Sequence, residues 1–266
     1  LDSYGFPKSR NIDSSIFFLK YLILIREWFK ESQKEIPNFI DENIFYLGQS
    51  YAFFWKNINF DPLFNGNNIS NNNQFDLYLK RLGYSFKNES YEFSNYVSLK
   101  NKKINLIMDT GPSPNKKFSN KYQAGALSFE FVSNGKKIIT NSGYFNKKND
   151  KLNKLSRSSA LHNVLVIDDN SSCKFKKNSN SEFEIIDGLK ILNKKIINDK
   201  NFWKINATHD GYLKNYNLFY EREIEFYPEN NKLIGTDKIL GKKVLPNLKF
   251  DLRFHLNPLS KTMKTQ

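Results

Sequence analysis

The sequence predicts an α+β fold in which helices come first and an antiparallel β-sandwich follows. Two patterns carry that prediction. Apolar residues recur at three- and four-residue steps up to about residue 90, and beyond it they alternate in short runs separated by turn residues. Composition adds that the chain folds, because 39% hydrophobic and 15% aromatic residues are too many for a disordered segment. A length of 266 residues allows one large domain or two smaller ones, and the change of period divides it into 1–90 and 91–266.

The first helix is expected from Ile16, capped by Ser14 or Ser15, with Phe17, Leu19, Tyr21, Leu22, Leu24 and Ile25 on its apolar side. Pro37 and Asn38 start a second, which carries Ile44, Phe45, Leu47, Tyr51, Phe54 and Trp55. Pro62 and Gly66 break the chain, and FDLYLKRLG forms a third helix stopped by Gly83. These are helices of a bundle or helical toroid. Strands follow in SYEFSNYVSLK and INLIMDTG around a turn at Asn101-Lys102. Leu127, Phe129 and Phe131 lead into Asn134-Gly135, which supplies the positive φ angles of a tight primed turn. Val164 to Ile167, FEIIDGLKIL, FWKINATHDGY, LFYEREIEFYP and KLIGTDKIL complete the set, with Glu229-Asn230-Asn231 as a further hairpin turn. The Asn- and Lys-rich patches NGNNISNNN and FNKKNDKLNKL read as solvated loops.

Charge narrows the partners. With 41 Lys and Arg against 27 Asp and Glu the net charge is +14, a field that attracts polyanions, although a Lys- and Asn-rich codon bias produces the same surplus. No basic stripe is interleaved with aromatics, which argues against nucleic acid. The richest apolar run, Ile16 to Ile25, holds Lys20 in its middle, so no membrane span is expected. One cysteine, Cys173, excludes an internal disulfide and a cysteine-rich metal site. The chain lacks an initiator Met and ends at Thr265-Gln266, and it reads as a piece of a longer protein.

Two segments, YQAGALSFEFVSNGKKIITNSGYF (122–145) and RSSALHNVLVIDD (157–169), resemble the signature of the heparinase II/III-like family in order and spacing. LIMDTGPSP, ATHDGY, GTDKILG and RFHLNP resemble its later sandwich strands, and SRN and LFNG the last part of its toroid. The resemblance implies the end of an (α/α) toroid over residues 1–90 and a sandwich, truncated at its end, over 91–266. It also implies lyase chemistry on a uronate-containing glycan; the compartment stays open, with periplasm or cell envelope favoured over cytoplasm.

That chemistry needs a group to neutralise the uronate carboxylate, a base for the C5 proton and an acid for the departing O4. His162, Tyr144 and Arg157 are the expected catalytic residues, with Gln123, Asn141, Asn163, Lys121, Arg10 and Asn11 as substrate-binding neighbours. His162 is also open to a plain reading as a core histidine. His209 beside Asp210-Gly211 reads as an acid–base unit or a turn tie, and His255 as a sheet position facing solvent or a cleft. Zinc-binding members of the family have His, Asp and His where this chain has Gln123, Asn141 and His162. Two amides supply neither the basicity nor the charge that zinc requires, so no zinc is expected, and the amides are free to hydrogen-bond His162 instead. A further family His falls on Lys121. The expected partner is an acidic polysaccharide, either cleaved by β-elimination or, in a non-catalytic member, bound during assembly of an anionic envelope glycan; no oligomeric state is implied.

Overall fold

The computed structural model describes residues 1–56, 60–68, 73–145, 149–242 and 247–261. Helix α1 (Ile12–Glu31) starts four residues earlier than the sequence pattern suggests, because Asn11, not a serine, caps it and accepts from the Ser14 amide at 3.0 Å. Helix α2 (Asn38–Tyr51) follows Pro37 and runs into a π-helical turn, Ala52–Lys56. Helix α3 (Asn73–Arg81) ends just before Gly83. Ile12, Leu19 and Ile23 of α1 meet Ile40, Ile44, Leu47 and Tyr51 of α2 in one core with Phe6, Phe54 and Phe64. Phe17 and Tyr21 of α1 and Phe45 of α2, expected on the buried faces, are about half exposed.

Five strands then form an antiparallel sheet in chain order: β1 (Glu92–Phe93), β2 (Tyr96–Lys100), β3 (Ile104–Asp109), β4 (Phe129–Ser133) and β5 (Lys136–Ile139). The β4–β5 turn is the expected one, with Asn134 at φ 49° and Gly135 at φ 73°. Helix α4 (Asp150–Ser156) occupies part of the stretch read as a Lys-rich loop, where Asn149 caps it by accepting from the Leu152 amide. Next come β6 (Leu165–Ile167) and the hairpin β7 (Lys174–Lys177) with β8 (Phe183–Asp187). The second large sheet has the order β12-β11-β10-β9, from β9 (Ile191–Asn198), β10 (Trp203–His209), β11 (Phe219–Tyr227) and β12 (Lys232–Leu240). Finally β13 (Phe250–Leu252) pairs with β6. The class is α+β, as expected. Among the described residues no helix is long and apolar enough to cross a membrane.

The first sheet is the middle of three layers. Every residue of β3 is buried, because its two faces have different partners. Ile104, Leu106 and Met108 pack with Phe131, Trp203, Ile205 and Phe226 in the core between the sheets, whereas Ile107 packs with the helices. The helix-side contact is also polar. Arg10 pairs with Asp109 at 2.6 Å, and the Asn65 amide donates to Asp109 and to the Tyr96 hydroxyl, each at 2.7 Å. Leu63 donates its backbone N–H to Glu130, which in turn pairs with buried Lys137. Asn65 and Asn67 are therefore buried, contrary to the solvated loop expected there; residues 69–72 of that stretch lie outside the described residues.

The remaining histidines resolve simply. His209 accepts from the Gly211 amide through Nδ1 at 3.0 Å, the turn-tie arrangement. His255 sits half-buried beyond the end of β13 with Nε2 at 3.1 Å from the Ala160 carbonyl, while Leu252, Phe254 and Leu256 are over 40% exposed.

Candidate functional site

A cleft of about 200 Å³ opens where the loop after β5, helix α4 and the start of β8 meet. Tyr144, Arg157 and Lys121 line it, joined by Asn153, Glu182 and Phe183. The loop 63–68 fixes Tyr144, whose backbone N–H donates to Asn67 and whose carbonyl accepts from the Asn68 amide. Helix α4 fixes the rest. Asn153 lies within it and Arg157 is its C-cap residue, four positions on, so both fall on one side of the helix.

Arg157 is 2% exposed and all five of its N–H groups have an acceptor. Nε donates to Asn153 at 2.9 Å; one terminal nitrogen reaches the Tyr122 and Ser119 carbonyls, the latter at 3.5 Å; the other reaches the Asn120 carbonyl and, at 2.7 Å, the Tyr144 hydroxyl. The rings of Tyr144, Phe175 and Phe183 surround its guanidinium. Burial lowers the Arg157 pKa and the Tyr144 oxygen opposes that drop. No donor of Arg157 is left for a ligand.

Tyr144 and Lys121 differ in that respect. The Tyr144 oxygen accepts from Arg157 and, at 3.0 Å, from Asn153, which fills both lone-pair positions while the hydroxyl donates to no described group. Its proton therefore has no acceptor among the described residues, and the residue as a whole is 5% exposed. Lys121 is half-buried on the cleft wall and makes no hydrogen bond or ion pair among the described residues. Opposite charge is present too: Asp150 is taken by Lys177, and Glu182 lies close enough to act on Arg157.

The other expected residues are elsewhere. Gln123 is fully buried and spends its amide on the backbone, donating to Gly143 at 3.0 Å and Ser156 at 2.6 Å and accepting from Gly66 at 3.0 Å. Asn141 accepts from the Asn163 backbone and side chain and reaches Ser128. Asn163 ties β4 and the Thr140 carbonyl together. Arg10 holds Asp109 and the Pro112 carbonyl and Asn11 Oδ1 caps α1, while Arg10 Nε and Asn11 Nδ2 are buried without a hydrogen-bond partner among the described residues.

His162 is 1% exposed, and neither ring nitrogen has a hydrogen-bond partner of good geometry. The expected amide partners have bonded elsewhere. Its ring lies against Gly125, where an added Cβ would stand 2.8 Å from Cγ and Nδ1, too close unless the ring shifts. Burial, with the neighbouring His255 acting the same way, drives its pKa down to about 3, which keeps it neutral. These three positions do not fit zinc. One imidazole is available, and the two amides are consumed by protein groups.

Of the expected residues, Tyr144, Arg157 and Lys121 line this cleft while His162 does not; Asn153, Glu182 and Phe183, which also line it, were not expected. The i, i+4 spacing of Asn153 and Arg157 was a usable signal, had α4 been recognised as a helix.

A model of the heparinase II/III-like C-terminal family matches residues 87–266. Among solved structures, a heparan sulfate lyase from Pedobacter heparinus superposes with a TM-score of 0.66 at 14% identity, covering 91% of this chain and 40% of that one. Heparinase III gives 0.70 at 17% identity, with 96% and 42% covered, and a further heparinase III gene product gives 0.58 at 15%, with 77% and 33%. At such identities the likeness is one of fold. The chain spans about 40% of the length of the first two. No curated protein matches it by sequence.

Proposed function

The chain belongs to the heparinase II/III-like family, and on that premise we propose that the full-length protein is a polysaccharide lyase acting on a uronate-containing glycan. In β-elimination a base removes the C5 proton, the electron pair forms the C4–C5 double bond, and the C4–O4 bond breaks as O4 takes up a proton. Tyr144 is the proton-transfer group of this reading. The observation that carries it is the hydroxyl on the cleft wall whose oxygen is held by two donors while its own proton has no acceptor among the described residues. Arg157 holds the Tyr144 oxygen in place by its hydrogen bond, and Lys121 neutralises the substrate carboxylate, which makes the C5 proton easier to remove. His162, Gln123, Asn141 and Asn163 hold the frame behind the cleft.

Incubation with a panel of uronate polysaccharides tests the reading. Ultraviolet-absorbing unsaturated ends are expected from at least one member and should vanish in Tyr144→Phe. Absence of such ends from every substrate would sink it.

One observation favours a second reading, a member that binds an anionic envelope glycan without cleaving it. Two of the three positions that hold metal in relatives are amides engaged by protein groups here, and the third, His162, is 1% exposed. Glycan-array binding that survives Tyr144→Phe, with no product from any bound glycan, would select this alternative.

A further inference from the structure

Asn153 touches both members of the pair on which the cleft chemistry rests. Its Nδ2 donates to the Tyr144 hydroxyl at 3.0 Å and to the Phe145 carbonyl at 2.9 Å, while its Oδ1 accepts from Arg157 Nε at 2.9 Å. Both amide hydrogens and the amide oxygen are therefore in use. A side chain engaged three ways has one orientation, and it transmits that orientation to its neighbours. Tyr144 receives a donor from Asn153 on one side and from Arg157 on the other, so its ring torsion and the direction of its O–H are both restricted. Arg157 is restrained in turn, since Nε is its one contact with α4 side chains. The half-buried position of Asn153 on the cleft wall matters as well, because water would otherwise compete for the same hydroxyl.

We infer that Asn153 is a positioning residue that sets the Tyr144 hydroxyl for proton transfer. The kinetic part of this inference rests on the lyase reading; the contact itself does not. Asn153→Asp separates the two roles of the side chain, since it keeps the oxygen that Arg157 needs and removes both N–H donors at nearly constant volume. Asn153→Ala removes everything and serves as the control for packing.

The experiment uses full-length protein carrying ¹³Cζ-tyrosine, with the Tyr144 resonance identified by its loss in Tyr144→Phe, together with kcat and KM on the best substrate of the panel. In Asn153→Asp the Tyr144 resonance should move, and kcat should fall about 10- to 100-fold with KM changed less than about twofold, the signature of a misplaced reacting group. The carboxylate of Asn153→Asp moves the Tyr144 resonance by its charge alone, so a merely structural amide would leave kcat unchanged there and lose stability in Asn153→Ala. An unmoved resonance, or an unchanged kcat despite a moved one, overturns the inference even if glycan is still cleaved. A moved resonance in a protein that cleaves no glycan counts against the lyase reading, and the kinetic part of the inference falls with it.

Discussion

The Tyr144 cleft and the His162 interior share one stretch of chain and meet at Ser156-Arg157, yet they dispose of their polar groups in opposite ways. In the interior, Gln123, Asn141 and Asn163 direct side-chain groups to backbone and to one another, and His162 is left buried without a partner. In the cleft, Arg157 is spent, while Lys121 and the Tyr144 hydroxyl proton have no partner among the described residues, Tyr144 itself being 5% exposed on the cleft wall. A polar residue in a family signature is therefore no guide to its task. What separates a framework group from a chemical one is whether a donor or acceptor remains after the protein has taken its share, and whether solvent can reach it.

Substitutions can break that contrast. The largest effect is expected from Tyr144→Phe, which should cut turnover on the order of 10² to 10⁴-fold while the far-ultraviolet circular dichroism stays as in the parent. If the variant retains activity, the cleft is not the reacting site. Next comes Arg10→Met, which strands the Asp109 carboxylate in the interior and should cost about 3–5 kcal/mol in urea unfolding with no direct effect on the cleft. Lys121→Met should cost about 1.5–3 kcal/mol of transition-state stabilisation in kcat/KM, the worth of a charged hydrogen bond, and little stability. A loss of stability without a loss of kcat/KM would move Lys121 into the frame.

Acid stability is a finer probe. His162 and His209 both have folded pKa values of about 3, set first by burial. The unfolded chain takes up their protons near pH 6.5 and the folded chain does not, so stability is complete above that pH and declines as pH falls toward 3. Each histidine contributes a slope of about 1.4 kcal/mol per pH unit across that window, and replacing either by Phe should lower the measured slope by that amount. An unchanged slope would mean that water reaches the ring. The smallest effect expected is that of zinc: with one imidazole free, added zinc should leave the melting temperature unmoved, and a rise of several degrees would overturn the account of Gln123 and Asn141.

How legible each part was depends on how local its cause is. The Asn134-Gly135 hairpin could be read because two residues dictate its backbone, and the helix-to-strand passage between Arg81 and Glu92 because each side keeps its own period. The cap of α1 was misplaced because Asn11 precedes an apolar residue, Ile12, while the serines beyond it looked equally able. The cleft was half legible. Family spacing pointed to Tyr144, Arg157 and Lys121, but the fate of Arg157 depends on carbonyls at 119, 120 and 122 that no side-chain pattern encodes. Glu182 and Phe183 arrive from a hairpin some thirty residues further on, and only tertiary packing assigns them.

The junction between helices and sheet has a consequence for the order in which the molecule assembles. Arg10 finds Asp109 across 99 residues of sequence, Leu63 finds Glu130 across 67, and Lys137 finds the Asp61 carbonyl across 76. Closing loops of that length is entropically costly and brings no return until the sheet already exists. On these separations the β2–β3 and β4–β5 hairpins are expected to form before the amino-terminal segment docks onto the sheet. Arg10→Met should accordingly speed unfolding while leaving the refolding rate nearly unchanged, because its contact is made after the barrier has been crossed.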